Sequence, residues 1–123
     1  MRGIIFVGLG GAVGAVGRYL ISMIPFKSEF PVLTLATNFI GAVLIGVIVG
    51  FAAADSASES QVLFWKTGVC GGFTTFSTFS LEALQLLEKG KMIQGGIYIV
   101  LSVVLCIFGV FVGRNISRMA LGK

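Results

Sequence analysis

The fold is decided by the stretch Thr67-Gly-Val-Cys-Gly-Gly-Phe-Thr-Thr-Phe-Ser-Thr-Phe-Ser80. Its glycines, Gly68, Gly71 and Gly72, each weaken a helix interior by roughly 1 kcal/mol relative to alanine. A run of hydroxyl side chains follows at once, and hydroxyls can cap a restarted helix by accepting bonds from its free amides. We therefore predict a helix that is broken between Gly71 and Thr75. The alternative is a helix that is only kinked, with its hydroxyls bonded back to carbonyls.

The sequence on either side of this stretch is too apolar for a soluble domain. Of the 123 residues, 56% are hydrophobic and 11% are charged, and the mean hydropathy is +1.02. A soluble domain carries about 25% charged residues, and a membrane span needs roughly 20 apolar residues. Four spans fit, at about residues 3–24, 31–54, 61–87 and 94–113. The predicted fold is an all-α membrane protein, a single domain of four transmembrane helices over residues 1–123, with its third helix broken near mid-membrane.

Several functions are disfavoured by what the chain contains. It has no histidine, and Cys70 and Cys106 are isolated within apolar runs. The basic residues cluster at the ends of those runs, where they are expected to snorkel to lipid headgroups rather than to bind nucleic acid. We expect neither an enzyme nor a nucleic-acid partner.

Glycines spaced four apart recur in three of the spans. Small residues let helix backbones approach closely in lipid, where close packing drives helix association. The pattern predicts a tight bundle but does not identify which helices meet. The pairs are Gly10 with Gly14, Gly46 with Gly50, and Gly109 with Gly113.

The basic residues divide almost evenly between the two sides of the membrane. An excess of Lys and Arg normally sets the orientation of a membrane protein. With so small a bias, we predict insertion in both orientations and an antiparallel homodimer. On the side of the N-terminus lie Arg2, Lys66, Arg114, Arg118 and Lys123, and on the other side Arg18, Lys27, Lys89 and Lys91.

Three segments of the chain resemble one family. Residues 71–82, GGFTTFSTFSLE, closely resemble the signature of the fluoride channel family, also called Fluc or CrcB. Residues 10–19, GGAVGAVGRY, and residues 34–41, TLATNFIG, match the same family's pattern in the first and second spans. One departure is Leu33, where the family often has glycine, and it affects only local packing.

The resemblance implies a dual-topology homodimer with two antiparallel fluoride pores. It also implies a structural sodium ion at the dimer centre, held by the backbone carbonyls of Gly71 and Thr74. Arg18 would stand near the vestibule, and Glu82 matches the acid that closes the motif. The implied pore residues are Asn38, Phe76, Phe79, Ser77 and Thr78.

The chemistry of these residues suits a small anion but leaves alternatives open. Asn38 offers two N–H donors in place of water, or else a hydrogen bond between helices. Phe76 and Phe79 could present positive ring edges to an anion, or could face lipid. Arg18 could snorkel or could attract anions to a pore mouth, and Glu82 could pair within the bundle.

Two other functions compete with a channel. A small dual-topology proton-coupled exporter would need a titratable carboxylate in the membrane core. A non-transporting assembly module would need the glycines but no polar track. The sequence favours passive export of fluoride through a bacterial-type cell membrane, which would lower the concentration of toxic fluoride in the cytoplasm.

Overall fold

A computed structural model describes residues 1–122, and these residues form no strand. Lys123, which the charge comparison assigned to the side of the N-terminus, lies outside the described residues. The helices are α1 (Arg2–Ser22), α2 (Val32–Ala53), α3 (Glu59–Val62), a π-helix (Leu63–Cys70), α4 (Gly71–Phe73), α5 (Phe76–Glu88) and α6 (Met92–Ala120).

Three of these helices, α1, α2 and α6, are long and apolar enough to cross a membrane. They correspond to the first, second and fourth predicted spans. The helix α6 continues beyond the predicted end of the last span at Gly113 as far as Ala120, and Gly113 packs against α2. Just beyond the end of α6 the backbone reaches a positive φ at Gly122, where φ is 72°.

The segment predicted as the third span is built from several shorter helices. It runs through α3, the π-helix and α4 in succession and then leaves helical geometry at two threonines. Thr74 has φ −83° and ψ 156°, and Thr75 has φ −146° and ψ 114°, so both are extended. Gly71 and Gly72 are themselves helical. Eight consecutive π-helical residues are unusual, since such geometry normally occurs as single turns that often lie at functional sites.

The helix α1 runs parallel to the segment from Leu63 to Phe73 and touches it through glycines. A Cβ built at Gly10 would lie 3.0 Å from the Cα of Gly68, and one built at Gly14 would lie 2.7 Å from the backbone nitrogen of Phe73. Both additions would also overlap backbone carbonyl oxygens. The two backbones therefore pack at a distance that only glycine permits.

The helices α2 and α6 form a second parallel pair, again through small residues. A Cβ at Gly46 would lie 3.0 Å from the Cα of Gly113, and one at Gly109 would lie 3.1 Å from the Cβ of Ala42. Gly50 faces the fully buried Ser117. The glycine spacing thus predicted close helix contacts correctly, and the structure supplies the partners.

The helix α5 closes the bundle against α6. Its buried residues Phe79, Ala83 and Leu86 form one apolar cluster with Tyr98 of α6. At the adjoining end of the molecule, Lys91 and Glu29 form an ion pair between the two loops. This packing fixes the start of α5 beside α2 and α6, where the polar residues of the chain meet.

Candidate functional site

The extended backbone at Thr75 is held by the side chain of Asn38. The Asn38 Oδ1 accepts a hydrogen bond from the Thr75 N–H at 2.8 Å, and its Nδ2 donates to the Thr75 carbonyl at 3.1 Å. The amide therefore replaces the helical bonds that this residue forgoes. One of the two Nδ2 hydrogens has no part in this pair of bonds and remains available as a donor.

The interruption changes which carbonyls are free. In a continuous helix the Thr75 N–H would bond to the Gly71 carbonyl, but here it bonds to Asn38. Likewise the Thr78 N–H bonds to the Thr75 hydroxyl at 3.1 Å instead of to the Thr74 carbonyl. The carbonyl oxygens of Gly71 and Thr74 thus lose their usual helical donors. Backbone carbonyls of this kind are ligands that suit a hard cation.

We call the chain from α3 to α5, which is broken at Thr74 and Thr75, the interrupted segment. A groove of about 480 Å³ runs between α2, α6 and the interrupted segment, and we call it the central groove. It brings together Asn38, Gly71, Thr74, Phe76 and Phe79. Its remaining lining residues are Gly41, Ala42, Ile45, Lys66, Cys70, Thr75, Ser102, Val103, Cys106, Ile107 and Val110.

The two phenylalanines of the central groove differ in burial. Their ring centroids lie 5.4 Å apart with the ring planes at 48°. The Phe79 side chain is 9% exposed and packs on Tyr98, whereas Phe76 is 79% exposed at the open side of the groove. The open side of the groove therefore presents one aromatic ring that nothing within residues 1–122 covers.

Arg18 lies in a second, smaller cavity of about 70 Å³, which we call the Arg18 pocket. Its Nε donates to the carbonyl of Gly72 at 3.1 Å, so the side chain crosses to the interrupted segment just before the extended residues. Hydroxyl-bearing residues form much of the rest of the pocket lining. They are Ser22, Thr34, Thr37, Thr75 and Thr78.

Two predicted pore residues, Ser77 and Thr78, do not line the central groove. Thr78 lines the Arg18 pocket, and its hydroxyl accepts a bond from the Thr75 hydroxyl at 2.9 Å. Ser77 is exposed, lies 3.3 Å from the Thr75 hydroxyl oxygen, and is absent from the lining of both cavities. Ser77 and Thr78 are consecutive residues of α5, and consecutive helical residues point in different directions, so these two side chains do not line the same cavity.

Glu82 has a specific partner. The hydroxyl of Tyr98, a fully buried residue, donates to the Glu82 Oε1 at 3.2 Å. The carboxylate is half-buried and is not part of the ion pair described above. This bond gives the acid that closes the motif a role in fixing α5 against α6.

Two polar residues of α6 were missed by the sequence reasoning. Tyr98 and Ser102 lie four positions apart, which puts them on one helix face. Ser102 is 7% exposed and lines the central groove, and its hydroxyl has no hydrogen-bond partner within residues 1–122. Their spacing within an apolar run was the signal that could have revealed them.

Metal-binding side chains do not form a cluster in the described part of the chain. Within residues 1–122 no three His, Cys, Asp or Glu residues are grouped so as to hold a metal ion. Cys70 and Cys106 are free thiols. The oxygen ligands that line the central groove are neutral ones, which include the carbonyls of Gly71 and Thr74.

Comparisons with known proteins agree on one family. Residues 5–114 match the model of the family described as CrcB-like protein, Camphor Resistance (CrcB). A protein of Ruminiclostridium cellulolyticum named fluoride-specific ion channel FluC is 42% identical over 122 residues, covering 96% of this chain and 94% of its own length. Proteins of the same name from Methanococcus maripaludis and Agrobacterium fabrum are each 43% identical, covering 95% and 96% of this chain and 97% and 98% of their own lengths.

Proposed function

This chain belongs to the CrcB-like family, and we propose that it forms a fluoride channel through which fluoride leaves the cell down its own gradient. The observation that carries the proposal is the clamp of Asn38 on Thr75. These two hydrogen bonds keep the backbone extended beside two aromatic rings and several hydroxyls. Relatives of this chain are named fluoride-specific ion channels. The chain is a membrane channel and not an enzyme.

Neutral donors are what a channel for a small anion needs. A fixed cation deep in the path would bind the ion too tightly for it to leave, whereas conduction needs several weaker sites. The positive ring edges of Phe76 and Phe79, the free Nδ2 hydrogen of Asn38 and the unpartnered hydroxyl of Ser102 provide such sites along the central groove. We assign Thr78 to the entrance through the Arg18 pocket. Ser77 keeps only a supporting role, because its hydroxyl lies near that of Thr75.

The interrupted segment is assigned as the third membrane span. A Cβ at Gly41, near the middle of α2, would meet the Thr74 side chain, which supports placing the extended residues near mid-membrane. Irregular backbone is tolerated at that depth only where it is buried in protein or lines a wet cavity. With Thr75 bonded to Asn38 and the segment lining the central groove, this requirement is satisfied.

A second copy in antiparallel orientation is proposed to close the central groove. The groove is open on the side where Phe76 is exposed, and five basic residues on one side of the membrane against four on the other set little preference for one orientation. An antiparallel homodimer would bury the exposed ring and give two pores of opposite direction. We place this dimer in the cell membrane.

A structural sodium ion at the centre of that dimer is also proposed. The carbonyls of Gly71 and Thr74, which lack their helical donors, fit a hard cation, and sodium is the ion that the family resemblance implies. When bound, the ion would bridge the two copies. Within this chain, Asn38 holds the backbone in the conformation that leaves both carbonyls without their helical donors.

Arg18 and Glu82 are assigned to supporting positions. The positive field of Arg18 would raise the concentration of anions in the pocket at the pore mouth. The carboxylate of Glu82 accepts a hydrogen bond from Tyr98, which keeps the negative charge of Glu82 out of the central groove. This also weakens the alternative of a proton-coupled exporter, because the half-buried carboxylate is engaged in fixing two helices. A module that only assembles other proteins would not need a polar groove.

The test is efflux from liposomes that contain the purified protein. Fluoride should leave rapidly and passively, carrying current, while chloride should be retained. Flux that requires a proton gradient would favour the exporter, and absence of any ion flux from liposomes with folded protein would favour the assembly module.

A further inference from the structure

The central groove contains one charged side chain, that of Lys66. Its lining otherwise consists of apolar, hydroxyl, amide and thiol groups. Sequence reasoning placed this lysine among the cations that anchor the end of a span. In the structure it belongs to the π-helix that leads to Gly71, and it lines the same groove as Asn38 and Thr74.

No acidic group within residues 1–122 neutralises Lys66. The only ion pair there joins Lys91 and Glu29, which lie at the other end of the bundle. The lining of the central groove contains no carboxylate. The ammonium charge of Lys66 therefore acts on whatever occupies the groove.

The groove has cationic residues beyond both of its ends. Thr75 lines both the central groove and the Arg18 pocket, so these cavities adjoin at that residue. At the other end, Ile107 and Val110 are shared with a surface groove of about 460 Å³ on α6. That surface groove also contains Arg114, Asn115 and Arg118. Lys66 lies on the side of the N-terminus, opposite to Arg18.

We propose that Lys66 acts electrostatically on the anion path, concentrating fluoride at the end of the central groove opposite to Arg18. This inference rests on the proposed channel function. Lys66 is exposed and carries its charge on a flexible stem, so it attracts anions without serving as a fixed ligand. A unit charge about 7 Å from an anion in a water-like dielectric changes the local anion concentration about three-fold.

This role has a signature that a purely structural lysine would not show. Mobile salt screens exposed charges, and the screening length falls from roughly 30 Å at 0.01 M to about 3 Å at 1 M salt. Removing the charge should therefore reduce fluoride current about three-fold at low ionic strength and have little effect at high ionic strength. Lys66→Arg should keep the current of the unmodified protein at both.

The experiment measures fluoride current in liposomes at low and high concentrations of an impermeant salt, for the unmodified protein, Lys66→Met and Lys66→Arg. Lys89→Met is the matched control, because Lys89 is an exposed lysine at the end of α5 outside both grooves. A loss for Lys66→Met at low salt that disappears at high salt supports the inference. Equal currents for Lys66→Met and the unmodified protein at both salt concentrations would overturn it.

A chemical rescue separates the charge from the side chain's effect on folding. Lys66→Cys is reconstituted and then modified with a thiol reagent that adds either an aminoethyl or a sulfonatoethyl group. The positive group should restore current and the negative group should lower it further. The protein that retains Lys66 is treated with the same reagents, which accounts for modification of Cys70 and Cys106. Equal currents after the two reagents would refute a role for the charge. If the unmodified protein carried no fluoride current at all, the channel proposal itself would fail.

Discussion

Asn38 bonds to both backbone polar groups of Thr75, accepting from its N–H at 2.8 Å and donating to its carbonyl at 3.1 Å. One side chain of α2 thereby takes over the hydrogen bonds that would have made the third span continuous. The same pair of bonds releases the Gly71 carbonyl and leaves one amide hydrogen for the groove. The break in the third span and the position of the N–H donor in the groove thus both depend on Asn38.

Asn38→Asp should abolish most fluoride flux. An ionised carboxylate cannot donate to the Thr75 carbonyl, and it places negative charge in the path of an anion. Loss of a buried bond that leaves a polar group unsatisfied also costs about 1–3 kcal/mol of stability. Efflux from liposomes and the thermal unfolding midpoint in detergent measure the two effects. Gln94→Glu, the same chemical change at the exposed start of α6, is the control and should leave flux unchanged. Normal flux in Asn38→Asp would remove Asn38 from the pore.

Replacing the two groove phenylalanines should give different results. Phe76→Ile should reduce flux with little loss of stability of the single chain, in which the Phe76 ring is largely exposed. Phe79→Ile should reduce flux and also lower the unfolding midpoint, because the Phe79 ring is buried against Tyr98. Phe108→Ile tests an exposed ring that lines neither groove, and its flux should match that of the unmodified protein. Normal conduction in both groove variants would show that the aromatic track is wrong.

The glycine contacts predict a sharp contrast between two positions on α1. At Gly14 an added Cβ would overlap the Val69 carbonyl, so Gly14→Ala should destabilise the protein by about 1–3 kcal/mol, as overpacking does. At Gly8 an added Cβ meets nothing within 4 Å, and Gly8→Ala should be neutral or slightly stabilising. Thermal unfolding in detergent compares the two. Equal midpoints for these variants would mean that the α1 contact is looser than described.

The bond between Tyr98 and Glu82 predicts energetic coupling. Tyr98→Phe removes the donor and leaves a half-buried carboxylate unpaired, so it should cost about 1–3 kcal/mol of stability. Glu82→Gln keeps an acceptor for the same hydroxyl and should cost less. In the double variant the two losses should not add, since one bond accounts for both. Strict additivity of the unfolding free energies would show that the two groups act independently.

The residues that sequence reasoning located best are those whose chemistry is rare in an apolar chain. An amide at position 38 and a hydroxyl run after glycines stand out against the surrounding leucines and valines, and the structure joins Asn38 to Thr75 directly. For Arg18 the sequence left two interpretations open, a side chain that snorkels to the lipid interface or one at a pore mouth. Only the fold shows that its Nε reaches the Gly72 carbonyl.

Other features were beyond the sequence for physical reasons. Ser102 was missed because a single serine in an apolar helix can bond to its own helix, as Ser80 does to the Phe76 carbonyl at 2.8 Å. The π-helical turns before Gly71 have no residue signature of their own. The apolar pattern gave only the approximate span 94–113, whereas α6 continues through the basic residues beyond Gly113 to Ala120.

Gly71 offers a test of the proposed dimer that leaves the single chain intact. A Cβ at Gly71 meets nothing within 4 Å, although the residue lines the central groove beside Thr74. Gly71→Val should therefore fold normally as one chain, but its side chain would project into the space assigned to the second copy. We expect it to dissociate in detergent and to lose fluoride current. Gly96→Val, at another position where an added Cβ meets nothing, should remain dimeric and conduct. Light scattering on the purified variants gives the oligomeric state. A stable, conducting dimer of Gly71→Val would place the second copy elsewhere, because no partner backbone could then approach the freed carbonyl closely enough to share a cation.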